Sequence, residues 1–259
     1  MPDPSLRTLL DVAIEAAYLA GRRTLAYFNT NVAVETKLDD TPVTCADRQA
    51  EQVIRALIGR YFPSHSILGE ESGEARGDPR FRWIVDPIDG TKSFIHGVPL
   101  YAVLIGLEID QRPSLGVIYL PALDEIVHAA AGLGCRWNGR AATVSTVDQL
   151  EQATVLTSSA LTAMRRSDAY ERLAGRARLN RTWGDAYGYA LVATGRAEIM
   201  LDPVINPWDI APMLPILSEA GGRFSDWQGT VTTWGPDAVA TNAALYDQVI
   251  AVLRSEQRR

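Results

Sequence analysis

Cysteine and histidine are scarce. The 259-residue chain has two cysteines, Cys45 and Cys135, and three histidines, His65, His96 and His128. Neither set has metal or redox spacing, which argues against a disulfide framework and against a thiolate or imidazole metal centre. No apolar run is long enough to cross a bilayer. The N-terminus lacks a basic stretch followed by an apolar one, so no signal peptide is expected. Clustered positive charge is missing too. The net charge is −6, and the terminal Arg258-Arg259 pair is too short for a nucleic-acid footprint. No internal repeat or low-complexity segment is present. These absences lead us to expect a cytoplasmic protein with reduced thiols and neither a nucleic-acid nor a membrane partner.

What is present is ordinary globular material, 47% hydrophobic and 22% charged, enough to bury a large core. Leu6, Leu9, Leu10, Ala13, Ile14 and Ala17 recur at helical spacing. Ala50, Val53, Ile54, Leu57 and Ile58 stripe a second helix expected over 47–61. Strands are expected at 66–68, 82–85, 101–109, 114–119 and 125–130, with Gln111-Arg112-Pro113 as a hairpin turn. Further on come a strand at 154–157, helices at 163–173 and 186–193, a strand at 198–201 and a helix at 209–220. Gly221-Gly222 ends that helix, and Leu245, Val249, Val252 and Leu253 mark a last one. The pattern divides into an α+β half, residues 1–140, and an α/β half, residues 141–259. No flexible linker separates them, so the halves are expected to pack together.

Chemistry concentrates in Trp83-Ile84-Val85-Asp86-Pro87-Ile88-Asp89-Gly90-Thr91-Lys92. Glu74 and Asp78, in a Gly/Arg-rich stretch, suit a solvated surface. Asp86 and Asp89 end a strand that must be buried, and a buried carboxylate needs a partner. A divalent metal fits best, and the all-oxygen ligands suit Mg²⁺ or Mn²⁺ rather than zinc. Gly90-Thr91 before a helix start offers backbone N–H groups to an anion. Metal and anion seat together suggest phosphoryl chemistry.

Asp86-Pro87-Ile88-Asp89-Gly90-Thr91 resembles the signature of the inositol monophosphatase family of Mg²⁺-dependent phosphatases. Gly-Glu-Glu-Ser at 69–72, Trp-Asp-Ile-Ala at 208–211 and Ser-Glu-Ala-Gly-Gly at 218–222 resemble its other motifs, in the family order. Lys37 and the segment from Asp40 to Asp47 match as well. The resemblance covers residues 37–222. It implies a layered αβαβα sandwich of the inositol monophosphatase/fructose-bisphosphatase type, commonly a homodimer, acting on a small phosphate ester. It also implies two or three Mg²⁺ ions per site, with Mn²⁺ as a possible substitute. Glu70, Asp86 and the Ile88 carbonyl would hold one; Asp86, Asp89 and Asp209 a second. A third could sit near Glu70, in the neighbourhood of Asp47. Glu70 and Thr91 would orient the metal-activated water, with Asp89 also in the catalytic set, and the Gly90 and Thr91 N–H groups would hold phosphate oxygens. Glu71 is assigned a supporting role.

The stretch Gly184-Asp185-Ala186-Tyr187-Gly188-Tyr189-Ala190 and Asn206-Pro207-Trp208-Asp209 resemble the histidinol-phosphate phosphatase branch. Asp185 and Asp202, at the non-phosphate end, would favour a cationic substrate, and Asn206 would hydrogen-bond an imidazole. The expected reaction is therefore hydrolysis of L-histidinol phosphate in histidine biosynthesis. Inositol monophosphatase and adenosine 3′(2′),5′-bisphosphate nucleotidase remain alternatives within the family, and a non-catalytic phosphate- or metal-binding regulator remains one outside it. At this stage Asp185 is a substrate contact, a helix cap, or both. Lys92 is a phosphate contact or solvated, and His96 either reaches the pocket or lies at the surface. Trp183, Tyr187 and Trp208 either stack an imidazole or are core aromatics, with Trp208 read as positioning Asp209.

Overall fold

The structure, a computed structural model, describes residues 3–38 and 40–255; Arg258-Arg259 lie outside them. Five layers alternate, helix and sheet, with three apolar cores between them. The outer helices Leu6–Leu25 and Cys45–Tyr61 lay Leu9, Ala13, Ala17, Ile54 and Ile58 against Trp83, Val103, Ile105 and Val117 of an eight-stranded sheet. The opposite face of that sheet, including Leu104, Ile118 and Val127, packs on helices carrying Tyr189, Ile216 and Leu217. Beyond them lies a five-stranded sheet, whose far face buries Val155, Ile199 and Val239 against Tyr170, Leu173 and Leu253.

The eight-stranded sheet explains the long apolar runs. Ala102–Ile109 lies between Asp78–Asp89 and Arg112–Leu120, antiparallel to both. Its residues alternate between two buried faces, so the strand reads as a continuous apolar string rather than an alternating one. In chain order the eight-stranded sheet ends with Arg140–Ala141, and the five-stranded sheet starts with Thr154–Thr157. The core between the sheets draws side chains from both sides of that point.

Local differences from the sequence reading have local causes. The hairpin turns at Asp110 and Gln111, both with positive φ (49° and 62°). Arg112 and Pro113 already belong to the following strand, with Pro113 opposite a register irregularity that tolerates a residue without N–H. The expected helix over 163–173 is two helices, Ala160–Arg166 and Ala169–Arg176, because Ser167 is extended (φ −163°, ψ 153°).

The expected helix over 209–220 is likewise broken, into Pro207–Ile210 and Met213–Glu219. Pro212 interrupts it, having no N–H to continue the ladder. The break docks on the sheet through two paired glycines, Gly106 and Gly116. A Cβ on Gly106 would stand 2.7 Å from the Ala211 Cβ, and one on Gly116 would stand 2.2 Å from the Pro212 carbonyl oxygen. Only glycine in both strands lets this corner approach, and the corner carries Asp209.

Candidate active site

Pro87 occupies an irregularity in strand Asp78–Asp89, where pairing with Ala102–Ile109 skips between Asp86 and Asp89. The skip brings both carboxylates to one side of the strand end. Asp86 is 2% exposed and accepts the Ile88 N–H through Oδ1 at 2.9 Å. Asp89 Oδ2 accepts the Ala186 N–H at 2.7 Å, satisfying a donor in the first turn of helix Asp185–Ala193. Asp209 arrives on helix Pro207–Ile210, and its Oδ2 accepts the Asn206 N–H at 2.7 Å. One oxygen each from Asp86, Asp89 and Asp209 lie within 4.8 Å of one another.

Burial raises the pKa of all three, and neighbouring carboxylates raise them further. Asp86 stands well above the usual carboxylate range through burial, then the charges of Glu70, Asp89 and Asp209. Asp89 is also well above it, through burial and then Asp185 and Asp209. Asp209 is pushed up to about 7, by burial first, against the pull of its Asn206 hydrogen bond. Three such groups ionise together only with a cation among them. The donor set is hard carboxylate oxygen without histidine or thiolate, which fits Mg²⁺ or Mn²⁺.

Glu70 and Ile88 line the same cavity, of about 240 Å³, as these three carboxylates. Lys37 reaches over from the hairpin ahead of helix Cys45–Tyr61. Its ammonium donates to Glu70 Oε1 at 2.8 Å and to Glu71 Oε1 at 2.7 Å. Glu71 is nonetheless pushed up to about 7, burial outweighing the lysine. Gly90 and Thr91 also line the cavity. Gly90 has φ 79° just before the helix Thr91–Ile95, a conformation glycine adopts at little cost. Thr91 Oγ1 donates to the Ile88 carbonyl at 3.1 Å and stands 3.5 Å from Asp47 Oδ1. Asp47 is buried and closes a capping box with Thr44, at 2.8 Å from its N–H and 2.6 Å from its hydroxyl.

Asp185 stands at a junction. It lines this cavity and a second one of about 370 Å³, sharing both walls with Lys92. The N-cap of this helix is Gly184 and Asp185 is its first residue, so Asp185 is not the N-cap. Its φ of 54° is unusual for a non-glycine residue, and its Oδ2 lies over Gly90, 3.0 Å from where a Cβ would stand. Burial and then the Asp202 charge push its carboxyl up to about 6, with Lys92 pulling the other way. Ser158, Ser159, Thr162 and Thr182 give the second cavity a hydroxyl lining.

Other expected residues separate. Asn206 and Trp208 line the metal-side cavity. Asp202 lines neither cavity; it is 4% exposed and accepts the Tyr189 hydroxyl at 2.7 Å. Its charge reaches Asp185, but the structure does not bring its side chain into either wall. His96 ends helix Thr91–Ile95 with Nδ1 2.8 Å from the Lys92 carbonyl, and lines neither cavity. His65 is stacked on Phe81 and Phe62. Trp183 is 42% exposed beneath Arg181.

The sequence profile of the inositol monophosphatase family spans residues 5–258. The chain belongs to that family and is a phosphoric monoester hydrolase. It is 43% identical to a histidinol-phosphatase from Chlorobaculum parvum, over 96% of this chain and 98% of the relative. It is 40% identical to the histidinol-phosphatase of Mycobacterium tuberculosis, over 87% and 89%. Among solved structures, the extragenic suppressor protein suhB from Bartonella henselae superposes with a TM-score of 0.90 at 30% identity, covering 96% of this chain and all of that one.

Sequence reasoning missed the roles of Lys37, Gly106 and Gly116. The two glycines did carry a signal, since glycine in the middle of an apolar strand marks a close backbone approach. Lys37 carried none beyond its place in a matched segment, because its partners lie 33 and 34 residues away.

Proposed function

We propose that the protein hydrolyses L-histidinol phosphate to L-histidinol and inorganic phosphate, with Mg²⁺ as cofactor. The observation that carries this reading is Asp185, a carboxylate shared by the metal-side cavity and the hydroxyl-lined cavity beside it. An acid there favours a substrate with positive charge beyond its phosphate, and Asp202 behind it adds to the negative field. The likeness to curated histidinol-phosphatases supports the same choice.

In this reading Glu70, Asp86 and the Ile88 carbonyl would hold one Mg²⁺, and Asp86, Asp89 and Asp209 would hold another. When bound, Mg²⁺ supplies Lewis-acid charge that polarises the phosphate and acidifies the attacking water. The Gly90 and Thr91 N–H groups hold phosphate oxygens as negative charge builds on them. Thr91 Oγ1 and Glu70, which line the same cavity, would orient the attacking water. Asp185 holds the substrate ammonium or imidazolium, and Asn206 hydrogen-bonds the ring. The working form is a cytoplasmic homodimer.

The test is phosphate release with Mg²⁺ from L-histidinol phosphate, myo-inositol 1-phosphate and adenosine 3′,5′-bisphosphate. A kcat/KM at least tenfold higher for histidinol phosphate, about 1.4 kcal/mol of transition-state binding, is expected. Preference for either other ester refutes the substrate assignment and leaves the phosphatase chemistry in place.

A further inference from the structure

Glu51 is a carboxylate with no exposed surface, in the middle of helix Cys45–Tyr61. It lines neither cavity, yet its oxygens take three donors. Oε2 accepts the Glu71 N–H at 2.7 Å; Oε1 accepts the Ser72 N–H at 3.0 Å and Arg55 Nε at 2.7 Å. Arg55 in turn donates to the Gly73 carbonyl. On the other side, a Cβ on Gly69 would stand 2.6 Å from the Glu51 carboxyl carbon. The backbone on both sides of Glu70 is therefore laid against one buried carboxylate. Glu70's own N–H donates to the Val85 carbonyl at 3.2 Å, tying it to the strand that carries Asp86.

Burying a charge is costly, and an apolar residue of similar volume often stabilises as well. An apolar residue cannot take the N–H groups of the two residues that follow Glu70. Without that carboxylate those half-buried N–H groups lose their common partner, and the loop is free to move. Resting on the reading of Glu70 as a metal ligand, we propose that Glu51 is the positioning residue for the Glu70 carboxylate. It fixes where Glu70 stands relative to Asp86, Asp89 and Asp209, and so sets the affinity of the site for a divalent cation.

The experiment is calorimetric titration of the metal-free protein with Mn²⁺, alongside its Tm. In Glu51→Gln one oxygen becomes an NH₂ group facing a backbone N–H. Mn²⁺ affinity is expected to fall about ten- to a hundredfold, and the Mg²⁺ concentration for half-maximal turnover to rise by a similar factor. Gly69→Ala, which pushes the loop off Glu51 from the other side, is expected to do the same; it carries the test alone if Glu51→Gln does not fold. A lower Tm with Mn²⁺ affinity within twofold of wild type means a purely structural role and overturns the proposal. Glu70→Gln separates the two levels. Lost affinity there, with none lost in the other two variants, overturns the positioning role only. Unchanged affinity in Glu70→Gln overturns the metal assignment of Glu70 and this inference with it.

Discussion

Asp209→Asn is expected to stabilise the metal-free protein while weakening its response to metal. The Asp209 carboxyl, ordinarily near 3.8, is pushed up to about 7 in the folded chain. An acid raised by folding stays protonated in the native state where the unfolded state has lost its proton. Stability is therefore highest below the unfolded value and is lost as pH rises through the folded one. At about 1.36 kcal/mol per pH unit, the penalty is roughly 2 kcal/mol at pH 5 and approaches about 4 kcal/mol at pH 8. The neighbouring carboxylates share this cost, so about 4 kcal/mol is an upper bound. The variant keeps an oxygen for the Asn206 N–H and sheds the charge. Urea unfolding with chelator should show Asp209→Asn more stable than wild type, by about 2 kcal/mol more at pH 8 than at pH 5. Added Mg²⁺ should close most of the gap at pH 8. A ligand at a hundred times its Kd stabilises wild type by about 2.7 kcal/mol, and the variant should gain less. Equal stabilities at pH 8 without metal, or a difference that ignores pH, would refute the reasoning.

Asp89→Asn should abolish phosphate release and leave the circular dichroism spectrum unchanged, since an amide oxygen can still accept the Ala186 N–H. Asp185→Ala should raise KM for histidinol phosphate about tenfold or more, with a smaller effect on inositol 1-phosphate; a contact-distance ion pair is worth at most ~4 kcal/mol at an effective dielectric near 20. Because the Asp185 carboxyl sits at about 6, KM for the cationic substrate should rise as pH falls below that value, and steady-state kinetics from pH 5 to 8 will register it. Gly116→Ala drives a Cβ to 2.2 Å from the Pro212 carbonyl oxygen. It should cost about 1–3 kcal/mol of stability and lower activity by shifting Asp209, read by unfolding and turnover on the same preparation.

The N-terminal half was largely legible before folding. The stripes on the first two helices and the apolar strings at 82–85 and 101–109 are local patterns, and each became the expected element. Reading failed where an element ended early. The 209–220 helix breaks at Pro212, which has no N–H to continue the ladder; the docking of that corner on two strand glycines depends on strand pairing, which is not local information. The strand Ala238–Thr241 was not anticipated; it is a short, wholly buried run with no alternation to announce it.

The sequence by itself determined the donor chemistry. Carboxylates without nearby histidine or cysteine select hard cations, a proline between two aspartates spoils a strand, and glycine before threonine permits the turn that follows. These are properties of residue types at short spacing. Only the tertiary structure decided which acids meet. Asp86 and Asp209 are far apart in sequence yet share one cluster. Asp185 lines both cavities while Asp202 lines neither, and Lys37 holds Glu70 and Glu71 across a hairpin. Pairing, burial and mutual charge are sums over the folded neighbourhood, which is why no local pattern contained them.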